Sequence, residues 1–266
     1  FNEFWLPLEA RLRQDFNVPG PRPEDLQKLI RKSLMKDLFK RAQVPVVRGE
    51  LLRDREHLLA FLREEHALVA KPDIGVGASD THKIASVAEA EKFWAERDLL
   101  TPYFIETYIG GDDRELLSFD GLTDAEGRIA FYTVHPVNEG LLEITQGVPL
   151  TYHNLRQVEI SETLLGYGER LLREMKLPKR FFHIEFFRVG KTYFGLEVNI
   201  RPPGVLTLDM MNHARGIDLW SEYARIMRGR VGTIEGLRDE ITVYVARLFR
   251  YDYRLSHEQV LERFGT

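Results

Sequence analysis

The chain contains no cysteine, which excludes disulfides, thiolate zinc sites and a cysteine nucleophile. Its apolar runs are short, and none has the length that a bilayer-spanning helix requires. A basic stripe interleaved with aromatics is also missing. The formal net charge is −4 with a pI near 6.1, so nucleic acid is not expected as a principal partner. No G-x-x-x-x-G-K-[ST] loop, G-x-G-x-x-G turn or H-R-D and D-F-G pair occurs, which removes the Walker, Rossmann and protein-kinase readings. Repeats and low-complexity tracts are absent. What is present is a 266-residue chain, 44% hydrophobic and 29% charged, at the upper edge for one domain and compatible with two lobes. Cytoplasm is the expected compartment.

The richest segment is Phe181 to Gly204, FFHIEFFRVGKTYFGLEVNIRPPG. In FFHIEFF, alternation sends Phe182, Ile184 and Phe186 to one face and His183 and Glu185 to the other. In TYFGLEVNIR, Phe194, Leu196, Val198 and Ile200 form the expected apolar face, opposite Tyr193, Gly195, Glu197, Asn199 and Arg201. A three-residue loop, Val189-Gly190-Lys191, pairs Ile184 with Leu196 and Phe186 with Phe194. It also sets Glu185 across from Gly195 and diagonal to Glu197, roughly 7–8 Å away. A two-residue loop slips each pair by one and drives Glu185 into the apolar face. The hairpin thus gathers a guanidinium beside two carboxylates and a carboxamide, whose hard oxygen ligands suit Mg²⁺ or Mn²⁺ better than zinc. Taken alone, the stretch also reads as an ordinary half-solvated hairpin.

Two further segments precede it. ALVAKPDIGVGAS, Ala67 to Ser79, is an apolar run that ends in Lys71 and a loop with Gly75, Gly77 and Ser79. A lysine leaving a strand before bare loop N–H groups can reach phosphate oxygens. YFIETYIGGDDRELLSFDG, Tyr103 to Gly121, is a strand, a paired-glycine break with acids, and a second strand. Its E-T-Y-I end offers backbone groups to an adenine edge. A glycine turn and an acidic surface turn are the plain alternatives for these two.

In this order, K-P-x-x-G-x-G-x-S, E-x-Y-I-x-G with acids, then H-I-E-F-F and E-x-N-x-R-P, the chain resembles the ATP-grasp superfamily. The similarity is to its biotin carboxylase-like carboxylate–amine ligases, over roughly Lys28 to Trp220. The resemblance implies an α+β fold, two α+β lobes with mainly antiparallel sheets gripping ATP between them. ATP and Mg²⁺ (or Mn²⁺) are the implied cofactors. The implied activity turns a carboxylate into an acyl phosphate for attack by an amine or thiol. A small-molecule carboxylate and amine are the implied partners, and a homodimer is compatible. An ATP-binding regulatory or scaffold module that has lost ligation is the alternative.

Position by position, Glu185, Glu197 and Asn199 match the magnesium ligands, and Arg201 matches the catalytic arginine that steadies the reacting intermediate. Lys71 matches one phosphate-binding lysine, and Lys32 the other. Arg31 stands where an aspartate is expected beside Lys32, and Lys36 is the alternative lysine. Gly75, Gly77 and Ser79 match the phosphate loop. Glu106, Thr107, Tyr108 and Ile109 match the adenine hinge, with Glu106 and Tyr108 contributing mainly backbone groups. Asp113 and Glu115 both remain candidates for the ribose.

The expected division is 1–25, the end of a preceding α/β domain and its linker; 26–64, connecting helices; 65–109, the small lobe; and 110–266, the large lobe. Helices are expected over Glu3 to Phe16, Pro23 to about Ala42, Leu51 to Glu64, Ser86 to about Arg97, Ile160 to Met175 and Asp218 to Met227. Strands are expected within VPVVRGELL, at Lys71, Lys83–Ile84, Tyr103–Tyr108, Glu115–Gly121, Ile129–Pro136, Glu143–Ile144, in the metal hairpin, and at Thr242–Phe249. His183 faces the site side, as a proton carrier, as a partner standing behind the site's ligands or, more commonly, as a histidine hydrogen-bonded within a wet cleft. Met210 and Met211 read as packing, and Arg215 as a surface ion pair, with pairing to a substrate carboxylate as the alternative.

Overall fold

The computed structural model describes residues 3–75, 80–111, 113–138, 148–248 and 250–264. Gly77, Ser79, the expected strand at Glu143–Ile144 and the expected strand end Phe249 lie outside the described residues. Two antiparallel sheets organise the chain, in agreement with the α+β expectation. A four-stranded sheet is built from β1 (Gly49–Leu51), β2 (Leu68–Pro72), β3 (His82–Ile84) and β4 (Tyr103–Thr107), in the order β1-β4-β2-β3. A six-stranded sheet is built from β5 (Arg114–Thr123), β6 (Ile129–Val137), β7 (Thr151–His153), β8 (Phe181–Val189), β9 (Thr192–Asn199) and β10 (Val243–Val245), in the order β10-β7-β6-β5-β8-β9. The helices are α1 (Leu6–Asp15), α2 (Pro23–Ile30), α3 (Lys32–Arg41), α4 (Arg55–Glu65), α5 (Val87–Glu96), α6 (Glu162–Met175), α7 (Thr207–Arg215), α8 (Leu219–Met227) and α9 (His257–Phe264). No helix among the described residues is long and apolar enough to cross a membrane.

Each sheet buries the face its alternation makes apolar. Leu68, Ala70, Ile84, Tyr103 and Ile105 pack against Leu58, Phe61 and Leu62 of α4 and Ala90 and Phe93 of α5. Because β1 and α4 belong to this assembly, the small sheet starts at Gly49. The expectation that 26–64 only connects therefore needs correction. Leu51 is in a strand, and α4 begins after Asp54, whose carboxylate accepts the His57 N–H at 2.8 Å. On the large sheet, Leu117, Phe119, Phe182, Ile184 and Phe186 pack under α1, α2, α3 and α6. Leu122, Ala130, Phe131 and Phe181 cover part of the opposite face together with α7 and α8. The rest of that opposite face carries the polar groups.

Two sequence expectations change. The single helix expected from Pro23 to Ala42 is two helices, interrupted at Arg31, whose backbone is extended (φ −92°, ψ 120°). The hairpin also takes the two-residue turn that the sequence reading rejected. Val189 pairs with Thr192, Gly190 sits at φ +57°, and Glu185 lies directly opposite Glu197. A bulge at Leu196 reconciles the short turn with the faces, because one inserted residue reverses the alternation between the turn and the site. Tyr193 and Gly195, rather than Phe194 and Leu196, therefore stand on the core side with Phe186. The strand expected over Thr242–Phe249 contracts to β10.

Gly195 meets the ring of buried Phe39 so closely that a Cβ there would overlap it. Phe39 packs edge-on against Phe186, with centroids 6.3 Å apart, and is fully buried. Gly195→Ala should cost about 1–3 kcal/mol, the usual price of overpacking. Urea denaturation of the two proteins measures it as a lower midpoint.

Candidate active site

Three lysines reach the cleft between the sheets. Lys71 on β2 and Glu106 on β4 lie on the small-sheet face away from its core, and α3 brings Lys32 and Lys36 across from them, one helical turn apart. Lys71 Nζ is 2.5 Å from Glu106 Oε1, and Lys36 Nζ is 2.7 Å from Glu106 Oε2. Lys36 also donates to the Gly195 carbonyl at 3.2 Å, which ties the small sheet to β9. Lys32 donates to the Gly75 carbonyl at 3.0 Å and stands 3.9 Å from Glu197.

The local support of Lys32, left open by Arg31, comes from forty residues away. The Asp73 carbonyl accepts the Lys32 N–H at 2.9 Å, and its carboxylate accepts the Ser33 N–H at 2.9 Å and a guanidinium N–H of Arg31 at 3.1 Å. These bonds satisfy the first orphan donors of α3 and explain the restart of the helix at Arg31.

Burial opposes every charge here. It would raise Glu106, but the charges and hydrogen bonds of Lys36 and Lys71 outweigh it and hold the carboxyl at about 2. Lys71 is raised, since Glu106, Glu197 and Glu185 overcome its burial. Lys32 and Lys36 are lowered, burial being the larger effect for both. Two buried ammonium groups sharing one carboxylate cannot both be fully compensated.

The polar face of the large sheet is laid out in cross-strand rows. Asn199, His183, Asp120 and Thr133 form one row, and Glu197, Glu185, Ser118 and His135 form the next. Glu185 and Glu197 are thus direct cross-strand neighbours, with Asn199 one pair further on the same face. They line a cavity of about 270 Å³ together with Arg201. Among the described residues, no group of three or more histidine, aspartate or glutamate side chains could hold a metal ion by itself. Two carboxylates and an amide oxygen suit a hard cation that keeps other oxygen ligands, as Mg²⁺ does with phosphate and water.

His183 lies between two carboxylates, Nδ1 2.6 Å from Asp120 Oδ1 and Nε2 3.2 Å from Glu185 Oε1. Burial would lower it, but these two anions push it up to about 10. Both ring nitrogens therefore donate. Burial would also raise Glu185, yet His183 and Lys71 hold it below the ordinary range. Glu197 is raised by burial and by the neighbouring Glu185 charge, despite Lys32.

The remaining expected residues divide. Arg201 lines the cavity and donates to the Pro202 carbonyl at 2.9 Å. The hinge differs from expectation. Glu106 contributes a buried side chain to the lysines, and its backbone lies inside the sheet between β1 and β2. The N–H groups of Thr107 and Tyr108 are committed to the Arg48 and Ala67 carbonyls at 2.9 and 3.1 Å, and the Ile109 carbonyl accepts from Arg114 at 3.1 Å. The Tyr108 ring carries Lys83 Nζ 4.0 Å from its centroid. Asp113 and Glu115 border a separate depression of about 550 Å³. Glu115 projects from the β5 face opposite to Ser118 and pairs with Arg188 at 2.8 Å.

Arg215 is no surface ion pair: it is fully buried, donates to the Leu155 carbonyl at 3.0 Å and pairs with Asp239. Sequence reasoning missed Asp120, Ser118, His135 and Asp73. An aspartate inside the apolar strand ELLSFDGLT was the available signal, since a buried carboxylate must find partners.

No family model matches the chain, and no curated protein matches it by sequence. Solved structures do match. The biotin carboxylase domain of Hydrogenobacter thermophilus 2-oxoglutarate carboxylase, in complex with MgADP, ADP and bicarbonate, is 18% identical with a TM-score of 0.72 over 90% of this chain and 55% of that one. N5-carboxyaminoimidazole synthetase from Staphylococcus aureus is 14% identical with a TM-score of 0.64, over 88% of this chain and 58% of that one. L-amino acid ligase from Bacillus licheniformis is 14% identical with a TM-score of 0.64, over 85% and 53%. The chain spans little more than half the length of these structures. The fold is the ATP-grasp fold.

Removing the shared carboxylate in Glu106→Gln leaves buried ammonium charge facing an amide, a loss of about 3–5 kcal/mol. Because the folded carboxyl at about 2 lies below its ordinary 4.5, this stabilisation is complete above the ordinary value and fades as pH falls toward the folded one. Urea denaturation should show the full deficit at neutral pH and a narrowing gap on acidification below 4.5.

Proposed function

We propose that the chain binds Mg-ATP between its two sheets and uses it to activate a carboxylate for attack by an amine or thiol. The observation that carries this reading is the convergence of Lys32, Lys36 and Lys71 on one side of a cleft with Glu185, Glu197, Asn199 and Arg201 on the other. The ATP-grasp fold, shared with structures solved with ADP or an ATP analogue, supports the same reading.

A carboxylate approaching the γ-phosphorus of ATP meets an anionic tail, so positive charge must be in place before reaction. Lys32 and Lys71 supply it; Lys36 keeps Glu106 in position between the sheets. A carboxylate oxygen forms a bond to the γ-phosphorus as the bond to the ADP oxygen breaks. The nucleophile then attacks the acyl carbon, and inorganic phosphate leaves. Glu185, Glu197 and Asn199 would hold Mg²⁺, which when bound neutralises phosphate charge. Arg201, two positions beyond Asn199 and directly before Pro202-Pro203-Gly204, aims its planar donors at the developing oxyanion. Of the two ribose candidates, both bordering the separate depression, Asp113 is preferred because Glu115 is spent on Arg188.

Calorimetry should detect Mg-ATP binding that Lys71→Ala weakens about 10–100-fold, the worth of one hydrogen bond to a charged group. No binding to folded wild-type protein would overturn the reading. A screen of small carboxylates paired with amines or thiols should release ADP and phosphate for a matching pair. Nucleotide binding with no such release for any pair would mark a binding module instead.

Arg201→Ala should keep ATP affinity near wild type while product formation falls on the order of 10²–10³, as when an oxyanion donor is lost. A collapse of ATP affinity in the folded variant would make Arg201 a nucleotide ligand.

A further inference from the structure

Beside the two facing glutamates, on the same sheet face, lies a polar chain that the proposed chemistry does not use. Ser118 Oγ donates to Asp120 Oδ2 at 2.6 Å, and His135 Nδ1 lies 2.8 Å from the same oxygen. Asp120 Oδ1 takes His183 Nδ1 at 2.6 Å, and His183 Nε2 reaches Glu185 Oε1 at 3.2 Å. The strands supplying these groups, β6, β5 and β8, are neighbours, so their spacing is set by backbone ladders rather than by loops.

Asp120 and His135 are fully buried, and both oxygens of Asp120 are occupied. Asp120 meets the cavity through two of its partners, His183 and Ser118, both of which line it, and of these His183 is the one bonded to Glu185. A sheet interior gains little from such a group for stability alone. An apolar set of similar volume often serves as well or better, because two charges taken out of water must recover their hydration. Orientation is a different matter. Glu185 stands directly across from Glu197, where two like charges repel and tend to splay. His183, held by Asp120 at Nδ1 and touching Glu185 Oε1 with Nε2, fixes the Glu185 carboxylate against that tendency. Around Glu185, the remaining charged groups are Lys71 and Glu197.

We infer that His183 is a positioning residue, anchored by Asp120 with Ser118 and His135 behind it, which presets the Glu185 carboxylate for a divalent cation. This rests on the reading of Glu185 as a metal ligand under Proposed function. Outer partners of a metal ligand are commonly worth 10–100-fold in metal affinity.

The test exploits the two ends of the imidazole. In His183→Asn the amide nitrogen stands near Nδ1 and keeps the bond to Asp120, while in His183→Gln it stands near Nε2 and keeps the bond to Glu185. Binding of Mn²⁺ in the presence of ADP, followed by the paramagnetic signal of free Mn²⁺, reads metal affinity without turnover. Metal-free ADP affinity and thermal unfolding are measured in parallel.

His183→Asn should weaken Mn²⁺ binding about 10–100-fold, with metal-free ADP affinity unchanged, and His183→Gln should lie closer to wild type. Asp120→Asn, which loosens the anchor, should fall between them. Equal Mn²⁺ affinity in wild type and folded His183→Asn would overturn the inference, as would equal losses in both His183 variants that track only their unfolding temperatures. If His183→Asn does not fold, an unchanged Mn²⁺ affinity in Asp120→Asn overturns it. Absence of Mn²⁺ binding to the wild type with ADP would bring down the metal-ligand reading itself, whereas binding that the variants leave untouched removes only the role of His183.

Discussion

The Glu106 carboxylate is the constraint on which the cleft depends. It takes Lys71 from its own sheet and Lys36 from α3, a helix packed on the other sheet. Lys36 in turn reaches the Gly195 carbonyl of β9. One buried anion thus joins the small sheet, the helix and the large sheet, and aligns the ammonium groups on one wall. Such an arrangement is costly in hydration and gains little as a staple, because burial works against each of the three charges. On the proposed function, its value lies in preorganisation. Cations fixed before an anionic ligand arrives need no rearrangement when charge develops.

The opposite wall depends on backbone regularity with one deliberate fault. In an antiparallel sheet, side chains directly across from each other share a face, so the ladder β9-β8-β5-β6 sets out rows of polar groups at fixed spacing. The bulge at Leu196 lets a tight two-residue turn coexist with an apolar core on one side and two carboxylates on the other. Without it, either Tyr193 or Glu197 would stand on the wrong face. Gly195, beside the bulge, leaves space for Phe39 and offers its carbonyl to Lys36, so the irregularity also links the hairpin to α3.

Helix α3 owes its start to the same economy of contacts. Asp73, directly after β2, satisfies the first amides of the helix and holds Arg31. The strand that delivers Lys71 and the helix that delivers Lys32 are therefore fastened at one residue, and the loop beginning at Gly75 leaves from that point.

Alternation and motif order determined much of this protein in sequence alone. FFHIEFF and E-x-N-x-R-P placed Glu185, Glu197 and Asn199 on one face, and the order of Lys71, its glycine loop and the E-T-Y-I strand carried the resemblance that implied two antiparallel sheets. These features are legible because they rest on the two-residue period of a strand and on local chemistry. The tertiary structure alone decided the rest. The two-residue turn and its bulge required the packing of Phe39 against Gly195. The break at Arg31 required Asp73, and the side-chain role of Glu106 required α3 to lie across it. Asp120 needed His135 and His183 from neighbouring strands. In each case the deciding contact joins residues 15 or more positions apart, and a period read along the chain holds no record of a partner that arrives through space.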